Sequence, residues 1–211
     1  MSDLKHAVIV PTVNLTKGST QLFKTPHHES FKRDLHLKLV DVALATSAAP
    51  IYFPLAEINN QLFADGGLYL NSPDLAALHE AEMFFGAEKE NIKMLSIGTT
   101  TSKFSLAHKV GKNLGVFKWI IVKQRLFKAI ISSQQINSNF LMNHKLGDNY
   151  LRIDETLSGN QEQYLSLDNA TPEAIKTIKG IADSSYQRYV NNKTLQNIIS
   201  KTKRPTSFYN L

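Results

Sequence analysis

Short apolar runs broken by turn residues open the chain. The stretch "HAVIVPTVNL" predicts a strand ending near Asn14, and "TQLFK" predicts a second strand across the Lys17-Gly18 turn, so the two should form a hairpin. Thr25 to Asp34, "TPHHESFKRD", is polar and rich in turn formers, which predicts a surface loop. Next, "LVDVALATSAAP" places small apolar residues at helical spacing until Pro50 stops the run, the pattern of a buried helix packed closely on its neighbours. The following "IYFPLAEINNQLFADGG" holds an aromatic segment, an Asn59-Asn60 turn and a strand that carries Asp65.

Helical periodicity takes over from there. In "NSPDLAALHEAEMFFG", Ser72 stands where an N-cap belongs, Pro73 at the first helical position, Asp74 in the first turn and Gly86 past the end, predicting a helix from Pro73 to Phe85. "IKMLSIGTT" predicts a buried strand that runs into a Gly-Thr corner and shares a sheet with the Asp65 strand. "GVFKWIIVKQRLFKAIISSQQINSNFLM" reads as one long helix or a pair, and "DNYLRIDETL" as a late strand. "TPEAIKTIKGIADSSYQRYV" predicts a helix with Thr171 as cap and Pro172 in the first turn. The order strand, corner, helix, strand predicts an α/β fold, a layered sheet flanked by helices, in a single domain over 1–211. Within it, 1–90 form a sheet core with the Asp-Gly-Gly corner, 91–147 a basic helical region, and 148–211 a C-terminal strand and helices.

Composition narrows the class. The 211 residues are 42% hydrophobic and 20% charged, enough apolar matter for one sizeable core. The absence of cysteine excludes a disulfide scaffold, thiol chemistry and cysteine-built zinc sites, and fits a reducing compartment, so a cytoplasmic location is expected. The apolar run from Ala7 to Val10 is too short for a signal-peptide core, and the uncharged stretch from Val42 to Ala56 is broken by Pro50 and Pro54 and falls short of the ~20 residues a membrane span needs.

Charge changes the picture more. Lys and Arg number 24 against 18 Asp and Glu, a net +6, and the excess is concentrated: between Asn91 and Gly147 there is no acidic residue, while Lys93, Lys103, Lys109, Lys112, Lys118, Lys123, Arg125, Lys128 and Lys145 supply nine positive charges. Such a region favours a polyanion or an anionic surface. Within it Lys118, Lys123, Arg125 and Lys128 alternate with Phe117, Trp119, Ile120, Leu126 and Phe127, as in a helix lying on anionic lipid. The alternative is a core-packing helix whose lysines face water. No helix-turn-helix or RNA-platform pattern accompanies the charge, so nucleic acid is not expected as a partner.

Candidate chemistry is sparse. The seven histidines fall into no metal-ligand spacing, and neither G-x-x-x-x-G-K-[ST] nor G-x-G-x-x-G occurs, so neither a metal nor a cofactor is expected. No G-x-S-x-G nucleophile elbow occurs either; "SIGTTTS" puts threonine where that motif needs serine. The remaining feature is "LFADGGLYLNSP", with Asp65 between the apolar Leu62, Phe63 and Ala64 and the pair Gly66 and Gly67. Two readings stand side by side. Asp65 is a turn residue bonding nearby amides, or it is presented at a tight corner where another reacting group comes close.

The stretch "DVALATSAAPIYFPLAEINNQLFADGGLYLNSPDLAALHEA" resembles the patatin-like phospholipase family, with its small-residue helix, aromatic-proline segment, Asp-Gly-Gly motif and Asn-x-Pro helix start in this order. "MLSIGTT", the Trp119 region and "YLRIDETL" continue the similarity. The resemblance implies a lipid acyl hydrolase with a serine-aspartate dyad, in which Asp65 is the catalytic aspartate and Gly66 and Gly67 complete its motif. It also implies that this chain corresponds to the C-terminal part of the domain, because nothing in residues 1–40 resembles the nucleophile elbow or the oxyanion loop. The expected partners are therefore a phospholipid or other acyl-lipid substrate, the N-terminal half of the domain if it is a separate chain, and a membrane met peripherally through Lys118, Trp119, Lys123, Arg125 and Lys128. The chain alone should be inactive. The competing reading is a non-catalytic membrane-surface module or an inactive remnant.

Overall fold

The computed structural model describes residues 1–100, 104–110, 112–120, 125–158, 161, 165, 167–201, 206, 208 and 209. They divide into two compact units, Met1–Ile92 with the described tail residues beyond Lys201, and Lys93–Lys201.

The first unit is built on a four-stranded sheet in the order β2-β1-β4-β3, formed by β1 (Ile9–Asn14), β2 (Ser19–Lys24), β3 (Ala56–Ile58) and β4 (Gln61–Asp65), all neighbours antiparallel. The expected first hairpin is present, with Ile9 opposite Lys24 and Asn14 opposite Ser19, and Gly18 adopts φ +62 in its turn. The Asn59-Asn60 turn joins β3 to β4, with φ of 50° and 60° at the two asparagines, the left-handed pair a two-residue hairpin loop demands. Helix α1 (Leu39–Thr46) lies on this sheet and buries Val42 and Ala45 against Phe23, Ile58, Phe63 and Met1, with the Phe23 and Phe63 rings 5.4 Å apart. The hydroxyl of Thr46 donates to the Pro11 carbonyl at 2.7 Å, and that of Thr12 to Ala64 O at 2.9 Å, fixing the helix and the sheet centre.

Helix α1 is less buried than its composition suggests. Leu39, Val40 and Leu44 remain 49%, 58% and 59% exposed, and Ile51, Phe53 and Leu55 beyond it are exposed as well. Eight residues make barely two turns, and the sheet covers only one side of them.

The Thr25–Asp34 segment also departs from expectation. Thr25, Pro26, His27 and Asp34 are buried. The polarity that suggested a loop in water is neutralised internally: His27 Nε2 lies 2.9 Å from Glu80 Oε2, its Nδ1 2.8 Å from Thr25 Oγ1, and Lys24 pairs with the same glutamate. Rings enclose the group, with His27 stacked on Phe85 at 5.3 Å and the Lys24 ammonium 4.3 Å from the Phe31 centroid.

After β4 comes a single helical turn, α2 (Gly67–Leu70), then α3 (Asp74–Phe85). The latter starts one residue later than Pro73, which occupies the capping position with no side-chain bond, and Ser72 is buried with its hydroxyl unpartnered among the described residues. Gly86 ends it with φ 59 as anticipated.

The second unit holds a two-stranded parallel sheet of β5 (Met94–Ile97) and β6 (Tyr150–Ile153), with Met94 opposite Tyr150. The expectation that "IKMLSIGTT" shares a sheet with the Asp65 strand is thus corrected, because among the described residues β5 pairs only with β6. The helices are α4 (Val116–Ile120), α5 (Arg125–Leu146), α6 (Pro172–Tyr189) and α7 (Lys193–Ile199). Thr171 caps α6 as its sequence indicates, accepting from the Ala174 amide at 3.3 Å. No described helix is long and apolar enough to cross a membrane.

Candidate active site

Asp65 is the last residue of β4, and its position follows from how the β1-β4 ladder stops. The two strands pair from Asn14-Phe63 to Thr12-Asp65. The next residue of β1 is Pro11, which has no amide hydrogen to extend the ladder. Gly66 turns away there, close against the Pro11 backbone: a Cβ on Gly66 would lie 2.3 Å from the Pro11 carbonyl oxygen. The Asp65 amide donates instead to Ala48 O at 3.0 Å, tying the strand end to the loop after α1.

The glycines act through space. Gly66 sits at φ −65, ψ −21, angles open to any residue, and among the described residues the glycines with positive φ are Gly18, Gly86 and Gly147. Absence of a Cβ is what matters. At Gly67 it would meet Asp65 Oδ1 at 3.0 Å and Asn71 Oδ1 at 3.3 Å, and without it the Gly67 amide donates to Asp65 Oδ1 at 2.6 Å.

The result is a carboxylate held by one oxygen. Oδ1 is fixed by Gly67, and Oδ2 has no hydrogen-bond partner among the described residues. Burial raises the Asp65 pKa above the ordinary aspartate value, and the Gly67 hydrogen bond opposes it less strongly. A half-buried, oriented carboxylate of raised basicity with a free oxygen can accept a proton from a hydroxyl placed against it. The turn reading accounts for Oδ1 and the Gly67 amide but leaves Oδ2 without a role.

Tyr69, four residues on, was not singled out from the sequence. Its hydroxyl donates to Gln21 O at 3.1 Å, and burial raises its pKa. It lines a cavity of about 450 Å³ along β2 with Lys24, Phe31, Arg33 and Asp34, and Asp65 is not among the lining residues. The His27–Glu80–Lys24 group was also missed, and the Phe31 and Phe84-Phe85 aromatics flanking its polar residues were the available signal. Of the basic residues expected at a membrane, Lys118 is exposed, Trp119, Arg125 and Lys128 are partly buried, and Lys123 lies outside the described residues.

The class the structure defines is an α/β one, with an antiparallel sheet flanked by helices and an Asp-Gly-Gly strand end fixed against a proline break. The profile of the patatin-like phospholipase family matches residues 1–78, a span that includes Asp65, Gly66 and Gly67, so the chain is similar to that family there. It is similar to proteins named cGAMP-activated phospholipase from three bacteria. Identity is 39% over 198 residues with that of Pseudomonas aeruginosa, covering 93% of this chain and 59% of the relative. With the Vibrio cholerae protein it is 34% over 208 residues, covering 92% and 59%, and with the Escherichia coli protein 31% over 219 residues, covering 97% and 62%. The chain thus spans about three-fifths of the length of these relatives.

Proposed function

We propose that this chain is the base-bearing part of a lipid acyl hydrolase that cleaves phospholipid esters with a serine-aspartate dyad, Asp65 being the general base. The observation that carries the reading is the Asp65 carboxylate, fixed through Oδ1 at 2.6 Å with Oδ2 unengaged at the end of β4. Because the 211 residues contain no G-x-S-x-G, the serine belongs to a segment outside this sequence.

The chemistry needs no histidine. As the serine oxygen attacks the ester carbonyl carbon, its proton passes to Asp65 Oδ2, and the ester oxygen of the leaving lysolipid takes that proton as the tetrahedral intermediate collapses. Water then attacks the acyl-serine, with Asp65 accepting the water proton and returning it to the serine oxygen. The raised pKa of Asp65 suits both halves, since it brings the base nearer the working pH. Gly67 keeps one oxygen occupied so that the other bears the proton transfer. The names of the three relatives extend the proposal to activation by cGAMP.

The purified 211-residue chain should show no ester hydrolysis above background. Joining or co-expressing it with the serine-bearing segment of a relative should restore phospholipid deacylation, with cGAMP raising the rate. Hydrolysis by the chain alone would overturn the assignment of the nucleophile to another segment.

A further inference from the structure

We infer that α4 and the start of α5 form an adsorption surface for anionic lipid, with Phe117 and Val116, rather than Trp119, as the inserting residues. The inference deepens the lipid-hydrolase reading by naming how the chain meets its substrate, and its test reads adsorption instead of hydrolysis.

Three observations converge. Val116 and Phe117 open α4 with 75% and 67% of their surfaces exposed, whereas Trp119 on the same short helix is partly buried. Leu126 and Ile130, one turn apart at the start of α5, are 45% and 39% exposed and therefore share a face. The apolar group sits in a stretch with no acidic residue from Ile92 to Leu146, and Lys109, Lys112 and Lys118 of that stretch are exposed. A core-packing helix would turn Phe117 inward and leave only lysines in water. Here Phe117 is exposed and is followed directly by the exposed Lys118, the combination an interface of acyl chain and phosphate accommodates. A soluble polyanion would use the charge and leave Phe117 and Val116 in water, which is why a lipid surface is the partner favoured.

The experiment is co-sedimentation of the full 211-residue chain with vesicles of ether-linked lipid, which cannot be deacylated, made of phosphatidylcholine alone or with phosphatidylglycerol. Binding should be at least tenfold stronger on the anionic vesicles in low salt and fall steeply at high salt. Lys118→Gln should weaken it roughly fivefold on anionic vesicles, and Phe117→Ser should weaken it on them even where salt has screened the charges. Both sites are exposed, so the variants should keep the native circular dichroism. Equal binding to both vesicle types, no binding, or native-like binding by Phe117→Ser would overturn the inference. So would displacement from vesicles by an equimolar single-stranded oligonucleotide, which would make the patch a generic polyanion site. Because the lipid is not hydrolysed, these failures leave the role of Asp65 untouched, and an inert Asp65 would leave adsorption intact.

Discussion

The Asp65 carboxyl is half-buried with a raised pKa, so the folded chain holds its proton more tightly than the unfolded chain does. The protonated form therefore favours folding: its contribution is full below the ordinary aspartate pKa of about 3.9 and is lost as the pH rises through the higher folded-state value. Asp65→Asn keeps an oxygen for the Gly67 amide without the buried charge. It should raise the thermal midpoint at pH 7, with the advantage shrinking as the pH falls toward about 4, read by unfolding scans across that range. A lower midpoint at pH 7 would mean that the charge itself stabilises the corner. The two glycines should separate in the same way. Gly66→Ala forces a methyl onto the Pro11 carbonyl, where only backbone can yield, and should cost about 1–3 kcal/mol or more in urea unfolding. Gly67→Ala meets the Asp65 side chain, so it should spare stability and displace the carboxylate. The Asp-Gly-Gly string was legible as a corner, but that its glycines serve close approach was not, because Pro11 stands 55 residues before Gly66 and nothing local links them.

At the scale of elements, local chemistry was readable where it stayed local. The β1-β2 hairpin, the Asn59-Asn60 turn, the Gly86 stop and the Thr171 cap each rest on residues adjacent in sequence. Ser72 and Thr171 look alike as caps before a proline, yet only Thr171 bonds an amide of its helix, while Ser72 is buried without a partner among the described residues. Thr171→Ala should therefore destabilise by about 1 kcal/mol. Ser72→Ala should be neutral or mildly stabilising, because it removes an unsatisfied buried hydroxyl and no cap. Parallel urea melts of the two variants check this, and an equal loss at both sites would restore Ser72 as a cap. The Thr25–Asp34 segment was misjudged because its burial depends on Glu80 and Phe85, supplied by a helix some fifty residues later.

Across the whole chain the α/β class was legible, since strand and helix patterns alternate clearly, but the number of sheets was not. The partner of β5 is β6, 53 residues beyond it, and parallel pairing across such a gap leaves no local mark. Charge was legible as a regional excess, and the structure adds which apolar residues stand exposed among the lysines. The exposed Leu39, Val40, Leu44, Ile51, Phe53 and Leu55 lie along α1 and the segment leading to the Asp65 hairpin, a spread that no single apolar periodicity marks in the sequence.

The central claim is that Asp65 takes a proton from a serine brought to it. Its most direct measurement is the phospholipid deacylation rate of the assembled enzyme, native against Asp65→Asn, with the folding of both verified by their melting curves. Loss of a general base costs on the order of 10² to 10⁴ in rate, so the account predicts a fall of that size in a variant that is folded and at least as stable. Full activity in the folded Asn variant would contradict it and leave Asp65 as the turn residue that holds the Gly67 amide.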